Sequence, residues 1–318
     1  MRLVRRPARQ RELVIGWRRR VMMMDRRRMI LGSVAMVGGL MADRRTAWGM
    51  GAGASGFEAE LVRLERECGG RLGVAVLNAA DGSVVGQRLD ERFPMCSTFK
   101  LLVASAVLRR VDEGKEQLGR VVRCEMKDVV AGNSPVTRGR AGGPGMSVEE
   151  LCAAAMTVSD NTAANLLVAS VGGPAGVTAF ARAIGDGVTR LDRVEPELNS
   201  SVVGDVRDTT SPAAMVGDVR RLVLGEGLSV ASRGKLKGWM MANKTGEKRL
   251  RAGLPRDWAE GDKTGSGENG TTNDVAVIWP AGRAPMVAAV YLTGAKVGSD
   301  AREATIASVG RAIAAMRR

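Results

Sequence analysis

From residue 57 onward the apolar positions change period several times, and each change marks an element. Glu58 to Glu67 sets apolar residues at 61, 62 and 64 among acids and arginines, the pattern of a surface helix, and Gly69-Gly70 stops it. Leu72 to Asn78, a turn at Asp81-Gly82 and then Ser83-Val84-Val85 read as a β-hairpin. Residues 97–240 are helical and punctuated by caps. Ser147-x-x-Glu150 before an apolar run is a capping box, and Ser211-Pro212 opens another helix, with Gly225 just past its end. Asn273–Trp279 and Val287–Leu292 are β-branched apolar runs that predict strands, and Ala301–Met316 predicts a closing amphipathic helix. Strands at both ends with helices between them predict one sheet built from both termini and covered by helices, with an all-helical insertion as a second lobe. In fold-class terms this is α/β of the α+β type, dividing into 55–91 with 242–318 and, separately, 92–241.

Composition narrows the chemistry. The 318 residues are 45% hydrophobic and 26% charged, which rules out wholesale disorder, and they include no histidine. Ser-His-Asp and Cys-His mechanisms and His-ligated zinc are therefore excluded. Aromatic residues total 3%, with Tyr291 the single tyrosine, which argues against stacking platforms for single-stranded nucleic acid.

The formal charge of +14 suggests nucleic acid until it is located. Residues 1–54 hold thirteen arginines and three acids, so the rest of the chain keeps 35 basic and 31 acidic residues, an excess of four. The positive charge belongs to a leader, and no nucleic-acid partner is expected. After Arg26-Arg27-Arg28, residues 29–42 carry no charge. Fourteen residues are too few for a bilayer-spanning helix, which needs about 20, but suit the apolar region of an export signal. The paired arginines resemble a twin-arginine signal, and Ala52-Gly53-Ala54 offers a cleavage site giving a mature start near Ser55. The expected location is periplasmic or extracellular, with no stable membrane anchor; an uncleaved anchor and a start at Met24 are the alternatives. Cys68, Cys96, Cys124 and Cys152 permit three fully paired disulfide connectivities or, equally, buried free thiols.

Three short motifs carry candidate chemistry. Ser97-x-x-Lys100 begins a strongly apolar helical segment, and the i,i+3 spacing can place the lysine amine beside the serine hydroxyl. With no histidine available, a lysine of lowered pKa is the natural activator of that hydroxyl. Ser159-Asp160-Asn161 supplies a second hydroxyl and an amide on a turn between helices, with Asp160 a candidate N-cap. Lys263-Thr264-Gly265-Ser266-Gly267 opens the first C-terminal strand region, where the glycines allow a ligand close to the backbone and Lys263 offers a cation for a carboxylate. Lys244-Thr245-Gly246 repeats the tripeptide, but Glu247–Arg251 after it is no strand, and the copy reads as coincidence.

In this order the three motifs resemble the penicillin-recognising serine enzymes, and class A β-lactamases in particular. The likeness covers the body from about residue 57, through Met95–Lys100, Ser159–Asn165, Val171–Pro174, Leu191–Asn199, Gly204–Pro212 and Asp262–Gly267. It implies an antiparallel sheet with helices, an Ω-shaped loop over 193–208 closed by Arg193 and Asp208, and a candidate cis peptide at Glu195-Pro196. It further implies that Ser97 attacks the lactam carbonyl, that backbone N–H groups of Ser97 and Ser266 hold the oxyanion, and that Ser159 passes a proton to the leaving nitrogen. Glu195 with Asn199 would hold and activate the water that frees the acyl-enzyme. Lys100 and Glu195 both remain candidates for the base that activates Ser97. Lys263, Thr264, Gly265 and Ser266 would bind the substrate carboxylate and Asn161 its side-chain amide, with no metal or cofactor and a monomer acting on a small β-lactam.

The departures from the family are specific. Gly132-Asn133-Ser134-Pro135 lacks the aromatic rim residue of many members, which predicts a more open rim. Ala104 faces Cys152 where some members form a disulfide, and Gly267 replaces a cysteine that could pair with Cys96. Thr272 stands where some penicillinases carry arginine. Ser266-Gly267 with Thr271–Asp274 is similar to extended-spectrum cephalosporinases. A D,D-peptidase or a non-hydrolysing β-lactam sensor would share the triplets; the first lacks the Glu195/Asn199 pair and the second is expected beside a membrane span.

Overall fold

Two apolar runs near the C-terminus become the central strands of a five-stranded antiparallel sheet. A computed structural model describes residues 52–316, with side chains described from residue 56. In chain order, α1 (Ala52–Cys68) leads into β1 (Arg71–Asn78) and β2 (Val84–Gln87), then the two-residue β3 (Phe93–Pro94). The helical middle comprises α2 (Phe99–Asp112), α3 (Val148–Thr157), α4 (Asn161–Ser170), α5 (Gly173–Ala183), α6 (Pro212–Val219) and α7 (Val230–Met241). Short strands β4 (Val121–Val122), β5 (Met146–Ser147) and β6 (Thr209–Thr210) lie among them. The chain ends with α8 (Leu250–Gly253), β7 (Ala259–Gly267), β8 (Thr271–Trp279), β9 (Met286–Thr293) and α9 (Ser299–Ala315).

The sheet order is β2-β1-β9-β8-β7, so strands from both chain ends meet at the β1–β9 pair, with Val74 opposite Val290. Both faces of the sheet are covered, which is why these runs are continuously apolar rather than alternating. Period-2 sorting sends Met286, Ala288, Val290 and Leu292 to the α1/α9 side with Leu61 and Ile306. Val287, Ala289 and Tyr291 go to the opposite core, with Leu101, Leu151 and Met215 of the helical part. The antiparallel sheet-plus-helix class expected from the sequence is the one observed.

Local signals behave as their chemistry dictates. The Gly69 N–H caps α1 on the Glu65 carbonyl, at a φ of +67° that glycine reaches without strain. Ser147 and Glu150 form the expected reciprocal capping box, and Asp160 caps α4 by accepting from the Ala163 N–H. The helix opened by Ser211-Pro212 passes into a π-helical turn, Arg220–Leu224, ending at Gly225. The export leader lies outside the described residues, apart from Ala52-Gly53-Ala54 in the first turn of α1.

Three expectations need correction. Lys263-Thr264-Gly265 does not open a strand; it occupies the second half of its own strand, β7, which escapes a hydrophobic pattern because Ala-Glu-Gly-Asp-Lys-Thr-Gly-Ser-Gly is polar or glycine almost throughout. Ser97 lies in a 3-10 turn, Cys96–Thr98, and α2 begins two residues later. The disulfide alternative is not realised, since all four cysteines are free and buried.

Candidate active site

Ser97 enters the site on a constrained turn. Cys96 holds a left-handed φ of +45°, unusual for a residue with a Cβ, and Ser159 does the same at +57°. Such conformations cost roughly 1–3 kcal/mol each and persist where the surroundings over-determine them. Strand β7 presses directly on the Ser97 turn: a Cβ on Gly265 would stand 2.7 Å from the Met95 carbonyl oxygen and 3.2 Å from the Ser97 nitrogen. The glycines therefore admit the protein's own backbone, where the sequence had suggested a ligand. Gly267 likewise faces the Asn199 carbonyl and the Cys96 sulfur, so Cys96 has no thiol partner across the gap.

The polar centre is a chain of contacts. Ser97 Oγ donates to Glu195 Oε1 at 3.1 Å, and Lys100 Nζ reaches the same oxygen at 2.9 Å. The expected Lys100–Ser97 proximity is thus organised through a carboxylate that the i,i+3 spacing could not reveal. Lys100 Nζ also donates to Asn161 Oδ1 at 2.7 Å, the Ser159 carbonyl at 2.9 Å and Ser159 Oγ at 3.2 Å. From the other side Lys263 Nζ donates to Ser159 Oγ at 3.2 Å and to the Thr264 carbonyl at 2.9 Å. Asn199 Nδ2 donates to Glu195 Oε2 at 2.5 Å. Five candidates, Ser97, Lys100, Ser159, Glu195 and Lys263, therefore form one network, with Asn161 and Asn199 attached.

The Lys100 and Glu195 side chains are both fully buried. Isolated charges there would cost several kcal/mol each, and the pair survives because further hydrogen bonds satisfy both partners. Burial pushes the Lys100 amine below the ordinary lysine range, and the Glu195 carboxylate opposes that push. Burial, reinforced by the Lys100 charge, takes Lys263 down to about 7. Lys263 can therefore exchange a proton near neutral pH, which an exposed lysine does poorly. Cys96 behaves otherwise: burial raises its thiol to about 12, leaving it a packing group.

The segment bearing Glu195 is tied down at its neck and centre. Arg193 pairs with Asp208 at 2.6 Å, as expected for the closure of a loop over 193–208, and Asp208 Oδ1 also accepts the Asp192 and Arg193 N–H groups. The Glu195-Pro196 peptide is cis. Asn165, four residues after Asn161 on the same face of α4, accepts the Glu195 N–H at 2.9 Å and donates to its carbonyl at 2.8 Å. Asn133 of the rim loop donates to the Val158 and Ser159 carbonyls, anchoring that loop to the Ser159 turn. A Cβ at Gly132 would meet nothing within 4 Å, so the rim there is open.

Thr245, Arg249 and Thr272 also enter this wall. The repeated tripeptide is not a bystander: Thr245 Oγ1 lies 2.5 Å from Thr264 Oγ1. Arg249 donates to Ser266 Oγ at 2.8 Å and to the Gly265 carbonyl at 3.0 Å. Thr272, the replacement for a strand arginine, accepts from Arg302 of α9 at 3.0 Å. Arginines thus enter this wall from two other elements, an arrangement no local window could show.

Known proteins share this fold. The family model described as the β-lactamase enzyme family matches residues 56–316. β-Lactamase CTX-M-8 of Citrobacter amalonaticus is 46% identical over 262 residues, covering 82% of this chain and 89% of that protein. β-Lactamase OXY-1 of Klebsiella oxytoca is 45% identical with the same coverage of each chain. Among solved structures, an ancestral (GNCA) class A β-lactamase is 61% identical with a TM-score of 0.79, covering 81% of this chain and 98% of that one. The putative class A β-lactamase PenP from Rhodopseudomonas palustris is 56% identical with a TM-score of 0.80, at the same coverages. A sheet joined from both chain ends and a serine set among two buried lysines and a carboxylate define a serine hydrolase without histidine. The chain belongs to the class A β-lactamases.

Proposed function

We propose that this protein hydrolyses the β-lactam amide of penicillins and cephalosporins through an acyl-enzyme on Ser97, conferring resistance to those antibiotics. The observation that carries the reading is the position of Glu195, whose two carboxylate oxygens contact Ser97 Oγ at 3.1 Å and Asn199 Nδ2 at 2.5 Å. Acylation alone would leave an inert ester, and turnover needs a base beside it.

In the first half-reaction Ser97 Oγ bonds to the lactam carbonyl carbon and its proton passes to Glu195 or to a neutral Lys100. Both bases lie on the path, because Lys100 Nζ and Ser97 Oγ share Glu195 Oε1. Backbone N–H groups of Ser97 and Ser266 receive the developing oxyanion; β7 is an edge strand, so alternate N–H groups on its outer side are free of the sheet. The ring C–N bond then breaks, and the nitrogen takes the Ser159 hydroxyl proton, which Lys100 replaces with the proton that left Ser97, received directly or by way of Glu195, so that Glu195 is a carboxylate again. In the second half-reaction Glu195 takes a proton from water, hydroxide adds to the ester carbonyl, and Ser97 leaves with a proton returned. Asn199 Oδ1 is buried without a protein hydrogen-bond partner, which supports its orienting that water as acceptor. Lys263, Thr264, Gly265 and Ser266 form the carboxylate wall, and Asn161 binds the substrate's side-chain amide.

Residues 55–91 with 242–318 form one unit on this reading and 92–241 the other, the sheet supplying Lys263 and the turns and loop of the helical unit Ser97, Ser159 and Glu195. On this reading the protein acts as a monomer. Export through a twin-arginine signal completes the proposal, tested by N-terminal sequencing of protein recovered outside the cytoplasm. The activity is tested with purified residues 55–318 and a chromogenic cephalosporin: hydrolysis by the parent, with neither hydrolysis nor penicillin labelling by Ser97→Ala, is the expected pair of results. Persistent labelling of that variant would refute the nucleophile assignment.

A further inference from the structure

Strand β7 carries different chemistry on its two faces. Lys263 points to Ser159, while Glu260, Asp262, Thr264 and Ser266 alternate onto the other face and meet the segment Asn243–Arg251. Five side-chain contacts dock that segment. Arg251 bridges Glu260 Oε2 at 2.8 Å and Asp262 Oδ1 at 2.7 Å; Asn243 donates to Asp262 Oδ2 at 2.5 Å; Thr245 meets Thr264; Arg249 meets Ser266. The docking is tight, since a Cβ on Gly246 would stand 2.0 Å from Asp262 Oδ2.

At one end of this zipper sits a cluster the hydrolytic mechanism does not use. Carboxylate oxygens of Glu260, Asp262 and Asp274 lie within 4.8 Å of one another, and all three residues are buried. Arg251 already supplies the cation for two of them, and the remaining oxygens, Glu260 Oε1 and Asp274 Oδ1, have no protein hydrogen-bond partner. Three ionised carboxylates against one guanidinium would leave unbalanced negative charge in a dry interior.

We propose that Glu260, through Arg251, is a positioning residue that keeps the Asn243–Arg251 segment docked on β7 and so fixes the Thr264 and Ser266 hydroxyls for the substrate carboxylate. This rests on the β-lactamase chemistry proposed above. The consequence is a pH-dependent wall. Burial, with Asp262 beside it, raises Glu260 to about 8, and burial with Asp262 and Glu260 raises Asp274 well above the carboxylate range. The charged groups facing Glu260 are Asp262 on its own strand, Asp274 on β8, and Arg251 on α8; Arg249 enters beyond them, held from α9 by Glu303. Lys263 lies on the opposite face. When Glu260 ionises, the cluster's charges repel and the docked population falls.

The test compares KM and kcat at pH 7 and pH 9 for the parent, Glu260→Gln and Glu260→Leu, using a penicillin bearing its ring carboxylate. Neither variant can ionise at this position, and thermal unfolding at pH 7 identifies which of them is folded. For a group titrating at about 8, the neutral fraction falls from about nine-tenths at pH 7 to about one-tenth at pH 9, and apparent affinity follows the competent fraction. The KM ratio between pH 9 and pH 7 should therefore be about tenfold larger in the parent than in a folded variant, with kcat little changed. The Lys263 titration is common to all three proteins and cancels in the comparison. Equal ratios in the parent and a folded variant, or a pH effect carried by kcat, would overturn the inference. The hydrolysis itself separates the two readings. Absence of any hydrolysis by the parent would overturn the hydrolase reading and this one together, whereas hydrolysis with equal KM ratios overturns only the positioning role.

Discussion

The Asn165 carboxamide holds both backbone polar groups of Glu195, accepting its N–H at 2.9 Å and donating to its carbonyl at 2.8 Å. A helix residue thereby sets the height of a loop carboxylate over Ser97, and the Arg193–Asp208 pair at 2.6 Å closes the loop around it.

Removing that clamp should affect the second half-reaction more than the first. Asn165→Ala leaves a part-buried N–H and carbonyl without their partner, at a cost of about 1–3 kcal/mol. A lower Tm and an acyl-enzyme that builds up before steady state are expected; stopped-flow traces with no burst and unchanged kcat would contradict the role given to Asn165.

Close approach of β7 to the nucleophile turn is equally specific. Gly265→Ala puts a methyl group 2.7 Å from the Met95 carbonyl oxygen, which must push the strand away from Ser97. Loss of most activity is expected from a protein that still folds, checked by circular dichroism alongside hydrolysis rates. Full activity would mean that the strand and the turn are not in contact during catalysis.

The second lysine fixes a pH limb. Lys263 sits at about 7, driven down by burial and then by Lys100, so its cation is lost as pH rises through neutrality. The free enzyme's kcat/KM toward carboxylate-bearing substrates should fall above about pH 7. For stability the sign is opposite, because between about 7 and the ordinary 10.5 the unfolded chain holds a proton that the folded one lacks, and raising pH relieves that penalty. Lys263→Arg, which stays charged, should flatten the kcat/KM limb; an unchanged limb would assign it elsewhere.

A buried acid away from the site gives a stability test. Burial and then the Asp186 charge raise Asp218 of α6 to about 9, and its Oδ2 has no protein hydrogen-bond partner. The folded state keeps a proton that the unfolded chain loses from about pH 3.8 upward, so this group's contribution falls as pH rises toward about 9. Urea unfolding at pH 5 and pH 9 should show Asp218→Asn losing less stability than the parent over that interval. A parallel loss in both proteins would place the titration in another group.

Legibility followed the range of the interaction. β8 and β9 were readable because burial on both faces makes their residues apolar throughout, and the Ser147/Glu150 and Asp160 caps were readable because both partners lie within a few residues. β7 was not, because its side chains are spent on polar contacts with the segment before it. The same cause hid Thr245 and Arg249, whose partners lie 19 and 17 residues further along the chain. In the site, Ser97, Lys100, Ser159 and Lys263 could be picked out as reactive types, but Lys100 meeting the oxygen that Ser97 also meets is a contact across 95 or more residues that only the fold creates. Asn165 shows the limit most clearly: it lies within Ser159–Asn165 and its partner is Glu195, yet nothing in either segment joins them.

The central claim is that Glu195 frees Ser97 from its acyl group. Mass spectrometry of Glu195→Ala mixed with benzylpenicillin tests it directly: a stable adduct of one penicillin on Ser97, with turnover lost, is the expected result. Steady-state hydrolysis at the parent rate, with no adduct to be found, would contradict it.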